Sequence, residues 1–490
     1  MTHAAPLEPA GSLYARHRKV QPRAVTGPVR RIKWTVLAVL LALYHLVPWL
    51  RWDRGAGVPD QAVLVDIAHG RLFFLWIELW PQEVYFLTGA LVLAAIGLFA
   101  VTSLFGRVWC GFTCPQTVWT DLFMWVERRI EGDRNARIKR DAEPWSPHKR
   151  RLKLIKHAVW IMIAAATGGA WIFYFNDAPS AAWALLTLQA SATVWFFFGL
   201  FTLTTYMLAG FAREQVCTYM CPWPRFQGAM LDDQSLVVTY RDWRGEPRGR
   251  LKEAGHGDCV DCAACFHVCP TGIDIREGQQ LECIGCGLCV DACNDVMRRL
   301  DRPQGLVAFE TLANLAASQA ATAGMAPDAR RHKAGMAARR IPRLLRPRVL
   351  MYAGVLSVVV AVIAGAFLLR PTQSLTVLRD RAPLFVQLSD GGVRNAFSLK
   401  LVNKTRDAGE FALVMEGAPG VTILAQGAAL DAQGRPLLAM RPDGIAEYRV
   451  LATAGPALRL PANRSVEFRL LGPHGQIIAR ATTVLLGPGG

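Results

Sequence analysis

Five stretches of this chain are long and apolar enough to cross a lipid bilayer: Trp34–Leu50, Val84–Phe105, His157–Asn176, Trp183–Phe211 and Val349–Leu369. A crossing helix needs about 20 mostly apolar residues, and inside lipid every backbone polar group must find its partner within the segment. The chain is therefore committed to a helical membrane domain. The first stretch is short, with Pro48 near its outer end. The fourth is long and reads as tilted or partly interfacial. Leu72–Trp80 is apolar but too short to span; with Trp76, Trp80 and Pro81 it reads as an interfacial piece before the second helix.

Charge sets the expected orientation. The formal net charge is +17, and the basic residues fall in blocks beside the apolar stretches: Arg30, Arg31 and Lys33; Arg128 to Lys156; Arg330 to Arg348. That placement follows the positive-inside rule and argues against nucleic acid as a partner. It predicts the N-terminus and the regions 107–156 and 213–348 on the cytoplasmic side, with the C-terminal region outside after five crossings. The N-terminus is not expected to be a cleavable signal peptide, because a mostly polar stretch precedes the first span and no small-residue cleavage site follows it.

All twelve cysteines lie between Cys110 and Cys293. A disulfide-stapled secreted fold would spread them differently. Cys259, Cys262, Cys265 and Cys269-Pro270 give C-x2-C-x2-C-x3-C-P, and Cys283, Cys286, Cys289 and Cys293 repeat the spacing. A cubane needs one thiolate for each of four irons. A tight loop supplies three, and in the two-cluster arrangement the fourth cysteine of each run ligates the other cluster. The expected [4Fe–4S] ligand sets are Cys259, Cys262, Cys265 with Cys293, and Cys283, Cys286, Cys289 with Cys269. Gly285 and Gly287 permit the close backbone approach that N–H···S bonds require. Zinc is the bland alternative, but zinc sites favour two pairs with a wider gap. Asn294 stands where a proline is usual, which predicts a local backbone adjustment. His267, between two ligands, reads as a solvated or packing residue.

The other four cysteines form two pairs. Cys110-Gly-Phe-Thr-Cys114-Pro115 closes the second span and Cys217-Thr-Tyr-Met-Cys221-Pro222 closes the fourth, after the related lead-ins Phe105-Gly106-Arg107 and Phe211-Ala212-Arg213. This reads as an internal repeat of a helical hairpin. Cysteines four apart share one face of a helix, and the following proline ends it. Two thiols are thus expected at each of two cytoplasmic helix ends. Soft thiolates suit Cu(I), and a dithiol/disulfide relay is the chemical rival.

The expected organisation is a cytoplasmic tail over 1–33, a membrane domain with four helices over 34–213, and a two-cluster ferredoxin-like domain over 214–310. A basic linker over 311–348, partly helical between Leu312 and Arg340, leads to the fifth helix over 349–369. Over 372–490, short β-rich runs such as Leu384–Leu388, Ala396–Val402, Phe411–Met415, Val421–Leu424, Val466–Leu471 and Ile477–Leu486 alternate with Gly, Asp, Asn and Pro. That spacing predicts an all-β, immunoglobulin-like sandwich acting as a binding or packing module. The sequon Asn403-Lys404-Thr405 is read as chance.

At this point the chain resembles a known family, the cytochrome c oxidase accessory proteins of the FixG/CcoG type. The likeness lies in Trp109-Cys110-Gly111-Phe112-Thr113-Cys114-Pro115-Gln116-Thr117-Val118-Trp119, in Cys217 to Pro222, and in Cys269-Pro270-Thr271-Gly272-Ile273-Asp274-Ile275-Arg276. It continues in Glu282-Cys283-Ile284-Gly285-Cys286-Gly287 and in the stretch from Asn395 to Thr405. The resemblance implies a cupric reductase of a bacterial inner membrane with a periplasmic C-terminal domain. It would supply Cu(I) for assembly of cbb3-type cytochrome oxidase, with Cys110, Cys114, Cys217 and Cys221 as copper ligands. The implied partners are a cytoplasmic electron donor of unknown identity, a copper chaperone or oxidase subunits, and membrane lipid. Two rival readings remain: a quinol–ferredoxin electron conduit and a non-catalytic assembly partner. No glycine-rich nucleotide fingerprint is present, and His45 in the first span is weak ground for a haem.

Overall fold

The first membrane helix, α1 (Pro28–Leu46), starts where Pro28 takes the first helical position and its missing N–H costs nothing. The cap comes from far along the chain. The Asp291 carboxylate accepts the N–H groups of Val29 (3.3 Å) and Arg30 (2.7 Å). Gly27 is obligatory here, because a Cβ would lie 2.3 Å from the Asp291 carboxyl carbon. The helix thus begins six residues earlier than the expected span, and Pro28–Lys33 belongs to it rather than to a tail.

The structure, a computed structural model, describes residues 19–55, 57–250, 255–336, 345–405 and 407–488. It divides into two compact units, Met1–Ile363 and Ala364–Gly490. Part of the expected tail and residues 337–344 of the expected linker lie outside the described residues.

In the first unit, β1 (Val63–Asp66), β2 (Arg71–Phe74) and β3 (Ile77–Leu79) form an antiparallel sheet. The apolar piece expected over Leu72–Trp80, too short to span, is β2 and β3 of this sheet, and its short alternation is that of a hairpin. Then follow α2 (Val84–Phe105), α3 (Pro115–Glu131), α4 (Arg134–Ala142) and α5 (Pro147–Phe173). The helices α6 (Ala178–Leu186) and α7 (Ala192–Met207) come next. The expected fourth span from Trp183 to Phe211 is broken: Leu188 takes φ +59°, and the Ser191 side chain caps α7 by accepting the Val194 N–H. The spanning piece is Ala192–Ala212, and among the described residues five helices are long and apolar enough to cross a membrane.

At one end of these helices the small sheet is fastened to the loop after α5. Gln61, buried, donates to Phe173 O (2.6 Å) and accepts the Ala178 N–H, and Arg51 pairs with Asp177. The opposite end carries the basic blocks. There Glu127 of α3 is buried among Arg137 (2.7 Å), Arg213 (3.1 Å) and Lys156 (3.4 Å), and Glu131 pairs with Lys153 and Lys156. Burial alone would raise the Glu127 carboxyl, but Arg213 and Lys156 win and hold it near about 2.

The cysteine-rich segment lies at this same end. It contains α8 (Trp223–Met230), β4 (Leu236–Tyr240), α9 (Asp242–Gly245), α10 (Ala264–His267), α11 (Leu288–Arg299), β5 (Val307–Thr311), α12 (Leu312–Thr322) and α13 (Pro327–Met336). The strands β4 and β5 pair antiparallel around it. The fifth spanning helix, α14 (Pro347–Leu368), is tied to the same end by Arg346, which bonds Asp232 and the carbonyl of Ser103.

The second unit holds two sheets. One has the order β10–β13–β8–β6, with β7 also on β8, and the other the order β11–β12–β9–β14–β15. Their ranges are β6 Gln373–Arg379, β7 Val386–Gln387, β8 Val393–Asn403, β9 Gly409–Glu416 and β10 Val421–Ala425. They continue with β11 Ala429–Leu430, β12 Pro436–Met440, β13 Gly444–Ala454, β14 Asn463–Leu471 and β15 Ile477–Leu486. Alternate residues Phe397, Leu399 and Leu401 of β8 face Leu413, Leu438, Phe468 and Leu470 in the core between the sheets. Asn403 is wholly buried, and its side chain is bonded to Thr405, Asp407 and Arg441. The sequon is therefore a turn lock and offers no free amide.

Candidate metal centre

The eight ferredoxin-type cysteines surround two voids. Cys259, Cys262, Cys265 and Cys293 line one, and Cys269, Cys283, Cys286 and Cys289 line the other, with Cys265 on the wall of both. These are the two sets expected from the crossed pattern. The backbone is shaped for sulfur. Gly285 and Gly287 both take φ +69°, which L side chains adopt at a cost. The N–H groups of Gly285, Leu288 and Val307 donate to the sulfurs of Cys283, Cys286 and Cys293. Burial pushes the thiols of Cys265, Cys283 and Cys293 up to about 12, so a metal-free site holds neutral thiols and ligation releases protons. Four soft donors around each void, with amide dipoles already aimed at sulfur, fit a [4Fe–4S] cluster. Among the described residues no three His, Cys, Asp or Glu side chains converge tightly enough for a single metal ion.

Asn294 explains itself. It sits inside α11 and its side chain accepts the Gly305 N–H at 2.7 Å, where a proline would interrupt the helix. His267 lines neither void: its carbonyl accepts the Arg23 N–H and its ring packs on Phe266. His45 is satisfied locally, with Nδ1 bonded to Leu41 O at 2.9 Å.

The two cysteine pairs are repeated elements, but not ordinary helix ends. The chain leaves α2 at Gly106 (φ +66°) and leaves the end of the fourth span at Arg213 (φ +40°). Each turn then forms a separate five-residue π-helix, Trp109–Thr113 and Val216–Met220. The closing bonds run from Cys114 N to Trp109 O and from Cys221 N to Val216 O, both 2.8 Å. This replaces the expected arrangement on one α-helical face. Pro115 takes the first position of α3, and Pro222 is the cap residue just before α8, so each proline leads into the next helix instead of merely ending one. A non-glycine at positive φ is strained, and Arg213 is held there by its bond to Gly210 O and its pairing with Glu127.

Both π-turns pack against residues that wall the second void. Cys110 and Cys217 belong to one apolar cluster with Ile284, Cys286, Leu288 and Cys289. Gly111 lies so close that an added Cβ would be 3.0 Å from Cys286 Cα and from the Gly285 carbonyl. Arg107, just before the first turn, donates to the carbonyls of Leu281 (2.5 Å) and Cys283 (2.8 Å). The four thiols are close enough to feel one another's charge, though not gathered tightly around one point. Burial is the main cause that raises the Cys110 and Cys217 thiols to about 12, and the other three sulfurs of the set add to it at Cys110. Exposure is graded, from buried Cys110 through Cys114 and Cys217 to exposed Cys221.

Sequence reasoning did not find Gln227. It is wholly buried, its carbonyl accepts the Cys110 thiol proton at 2.9 Å, and its amide donates to Thr102 Oγ1 at 3.2 Å. A lone glutamine in an amphipathic stretch carries no spacing signal. Gln116, within the quoted motif, is equally structural: its amide donates to the carbonyls of Leu208 and Arg213 and so ties the second turn to α3.

Comparison with known proteins places these elements. A family model described as "4Fe-4S dicluster domain" matches residues 212–312, and one described as "4Fe-4S binding domain" matches 87–132, which contains Cys110 and Cys114 as its only cysteines. Residues 363–488 match the model described as "IG-like fold at C-terminal of FixG", which also ranks FixG as a candidate oxidoreductase. The chain is 50% identical over 473 residues to "Nitrogen fixation protein FixG" of Rhizobium meliloti, covering 93% of this chain and 89% of that one. It is 49% identical over 417 residues to "Protein RdxA" of Cereibacter sphaeroides, covering 85% and 86%. A solved FixG-related protein from Vibrio parahaemolyticus aligns with 24% of this chain and 97% of its own, at 20% identity and a TM-score of 0.20.

Proposed function

Because this chain belongs to the FixG family of membrane iron–sulfur electron-transfer proteins, we propose that it is a cupric reductase that reduces Cu(II) to Cu(I) at Cys110, Cys114, Cys217 and Cys221. The Cu(I) serves assembly of a cbb3-type cytochrome c oxidase. The observation that carries this reading is the seating of Cys110 and Cys217 in the same apolar cluster as Cys286 and Cys289. An electron acceptor built there lies against the second iron–sulfur site, on its apolar side. When bound, the two clusters supply one-electron transfer, and the eight cysteines assigned above hold them.

This chain's own residues do the rest. Exposed Cys221 is the point of copper entry, and buried Cys110 is the far wall. Copper draws the four thiols together. Each sulfur loses its proton on ligation, and Gln227 holds the Cys110 thiol in place until then. Cu(II) gains one electron to become Cu(I), which soft thiolates retain better than the oxidised ion. In this reading the clusters and both π-turns lie in the cytoplasm, because the buried and exposed basic residues gather at that end. The electron donor is an unidentified reductant, and the β unit, on the periplasmic side, offers a docking module for a copper chaperone or oxidase subunit.

The test replaces Cys110, Cys114, Cys217 and Cys221 together with serine. The variant should keep its iron–sulfur absorption and lose copper binding and sustained Cu(II) reduction with a supplied electron donor. A variant that binds and reduces copper like the wild type over many turnovers would overturn the proposal. One observation favours a second reading as a quinol-linked conduit. A cavity of ≈ 580 Å³ is lined by Phe105, Arg107, Leu281 and Cys283, and the buried Nε of Arg107 has no partner among the described residues. Copper-independent quinol oxidation by the four-serine variant would establish that reading in place of the first.

A further inference from the structure

Asp121, in the middle of α3, is 2% exposed and has three cations around it. Arg30 lies at 2.6 Å, Lys33 at 3.5 Å and Arg128 at 3.8 Å, and all three side chains are largely buried. Burial alone would raise the Asp121 carboxyl; Lys33 and Arg30 outweigh it and hold it below the usual range. One carboxylate cannot neutralise three cations, and an unmatched charge away from water is expensive.

The surplus divides between two cavities that meet at Asp121. Lys33 faces the one lined by Cys217, Pro270 and Ile284, whose wall also carries the carboxylate of Glu214 and the guanidinium of Arg213. Arg30 and Arg128 face the other, of ≈ 390 Å³, whose walls add Arg23 and Arg129. Among the described residues its acids are Asp121 and Asp133, and Asp133 already accepts the Ala24 N–H at 2.9 Å. Burial, and then the charge of Arg30, lower the pKa of the Arg128 guanidinium, as expected of a cation with too little counter-charge.

The remaining walls set the depth of this cavity in the membrane. Trp34 and Trp125 pack edge to face with ring centres 6.1 Å apart, with Arg30 over Trp34 and Arg129 over Trp125. Trp34 lies in the second turn of α1, at the start of a candidate membrane span. Tryptophan and arginine at that level mark the headgroup region, and paired guanidinium groups match phosphate oxygens in a planar fork.

We propose that this cavity binds the phosphate group of an anionic phospholipid from the leaflet on the iron–sulfur side. The lipid neutralises Arg30 and Arg128 and bridges α1, α3 and the chain segment Pro22–Thr26. The site is separate from copper chemistry and stands whether or not copper is the electron acceptor.

The test uses the full-length cluster-loaded protein, delipidated and then offered phosphatidylglycerol or phosphatidylcholine, with bound lipid counted by native mass spectrometry. Retention of phosphatidylglycerol should exceed that of phosphatidylcholine by about tenfold, the scale of one charge-assisted phosphate contact. Arg128→Gln with Arg129→Gln should abolish the preference while iron content and helicity stay at wild-type levels. Should the double variant lose its fold, the exposed pair Arg129→Gln and Trp125→Ala serves instead, with a loss of at least half the preference expected. Equal retention of the two lipids, or an unchanged preference in a folded variant, would overturn the proposal. So would binding of inorganic phosphate or glycerol 3-phosphate without any lipid preference, which would assign the site to free phosphate.

Discussion

Gly111→Ala tests the contact on which electron delivery to the four-thiol centre depends. The added Cβ would sit 3.0 Å from Cys286 Cα and from the carbonyl carbon and oxygen of Gly285, whereas ordinary contact lies at 3.4–4 Å. All three neighbours are backbone, so no side chain can rotate away. Gly285 also packs on Arg107, 3.1 Å from Arg107 Cβ by the same measure, and Arg107 belongs to the same turn as Gly111, whose N–H it accepts at 3.0 Å. The π-turn must retreat by at least about 0.4 Å or the loop must deform, and overpacking of this kind costs about 1–3 kcal/mol. That is roughly fivefold to a hundredfold in the population of the undocked state. Gly97→Ala in α2 and Gly199→Ala in α7 are the controls, since an added Cβ there meets nothing within 4 Å. The assay heats the cluster-loaded protein in nanodiscs, follows loss of iron–sulfur absorbance, and measures cluster reoxidation by Cu(II) before heating. Gly111→Ala should lose absorbance several degrees earlier and reoxidise more slowly, and the controls should match wild type. If Gly111→Ala matches the controls in both readouts, the docking of the π-turn on the Cys283–Cys289 loop is not tight and the argument fails.

Anaerobic protein should carry about eight irons per chain, and Cys259→Ser should remove about half of them while leaving a residual cluster spectrum. Zinc in place of iron and sulfide would refute the assignment. A reporter active only outside the cytoplasm should work when fused after Gly490 and stay silent near Gly249; the reverse would invert the topology. The Glu127 carboxyl is held near about 2 by Arg213 and Lys156 against the effect of burial. Its folded pKa lies below the unfolded value, so its stabilisation is complete above about pH 4.5 and is lost as pH falls towards 2. At neutral pH Glu127→Gln strands buried Arg137 and Arg213, while Lys156 keeps Glu131, and should cost about 3–5 kcal/mol, seen as sharply reduced yield of folded protein. A yield equal to wild type would show that the network contributes little.

The features legible in the sequence were those that repeat at a fixed spacing. Cysteine spacing gave both four-thiol groupings, because the two-cluster pattern leaves little freedom in how a short loop wraps a cubane. Apolar length located the spanning helices, but not their ends. The cap on α1 comes from Asp291, and no local signal at Pro28 announces a partner so distant in the chain. The break at Leu188 escaped notice because Leu188–Ser191 looks like a gap within one apolar run, and the Ser191 cap is a single residue. The strand β13, the longest in its sheet together with β8, carries Glu447 and Arg449 on its exposed face, so it forms no continuous apolar run. The π-turns resemble α-helix in spacing, and only the closing bonds tell them apart.

The bond between Asp291 and the start of α1 also dictates an order of assembly. Residues 28–30 leave the ribosome long before residue 291 exists, so α1 must insert into the membrane with its first N–H groups open to water. Four spanning helices are in place before the polypeptide that closes this end has been made. Asp291 lies two residues from both Cys289 and Cys293, and it reaches its final position only when α11 has formed around the sulfur sites. Closure of the first helix is therefore a late event in biogenesis.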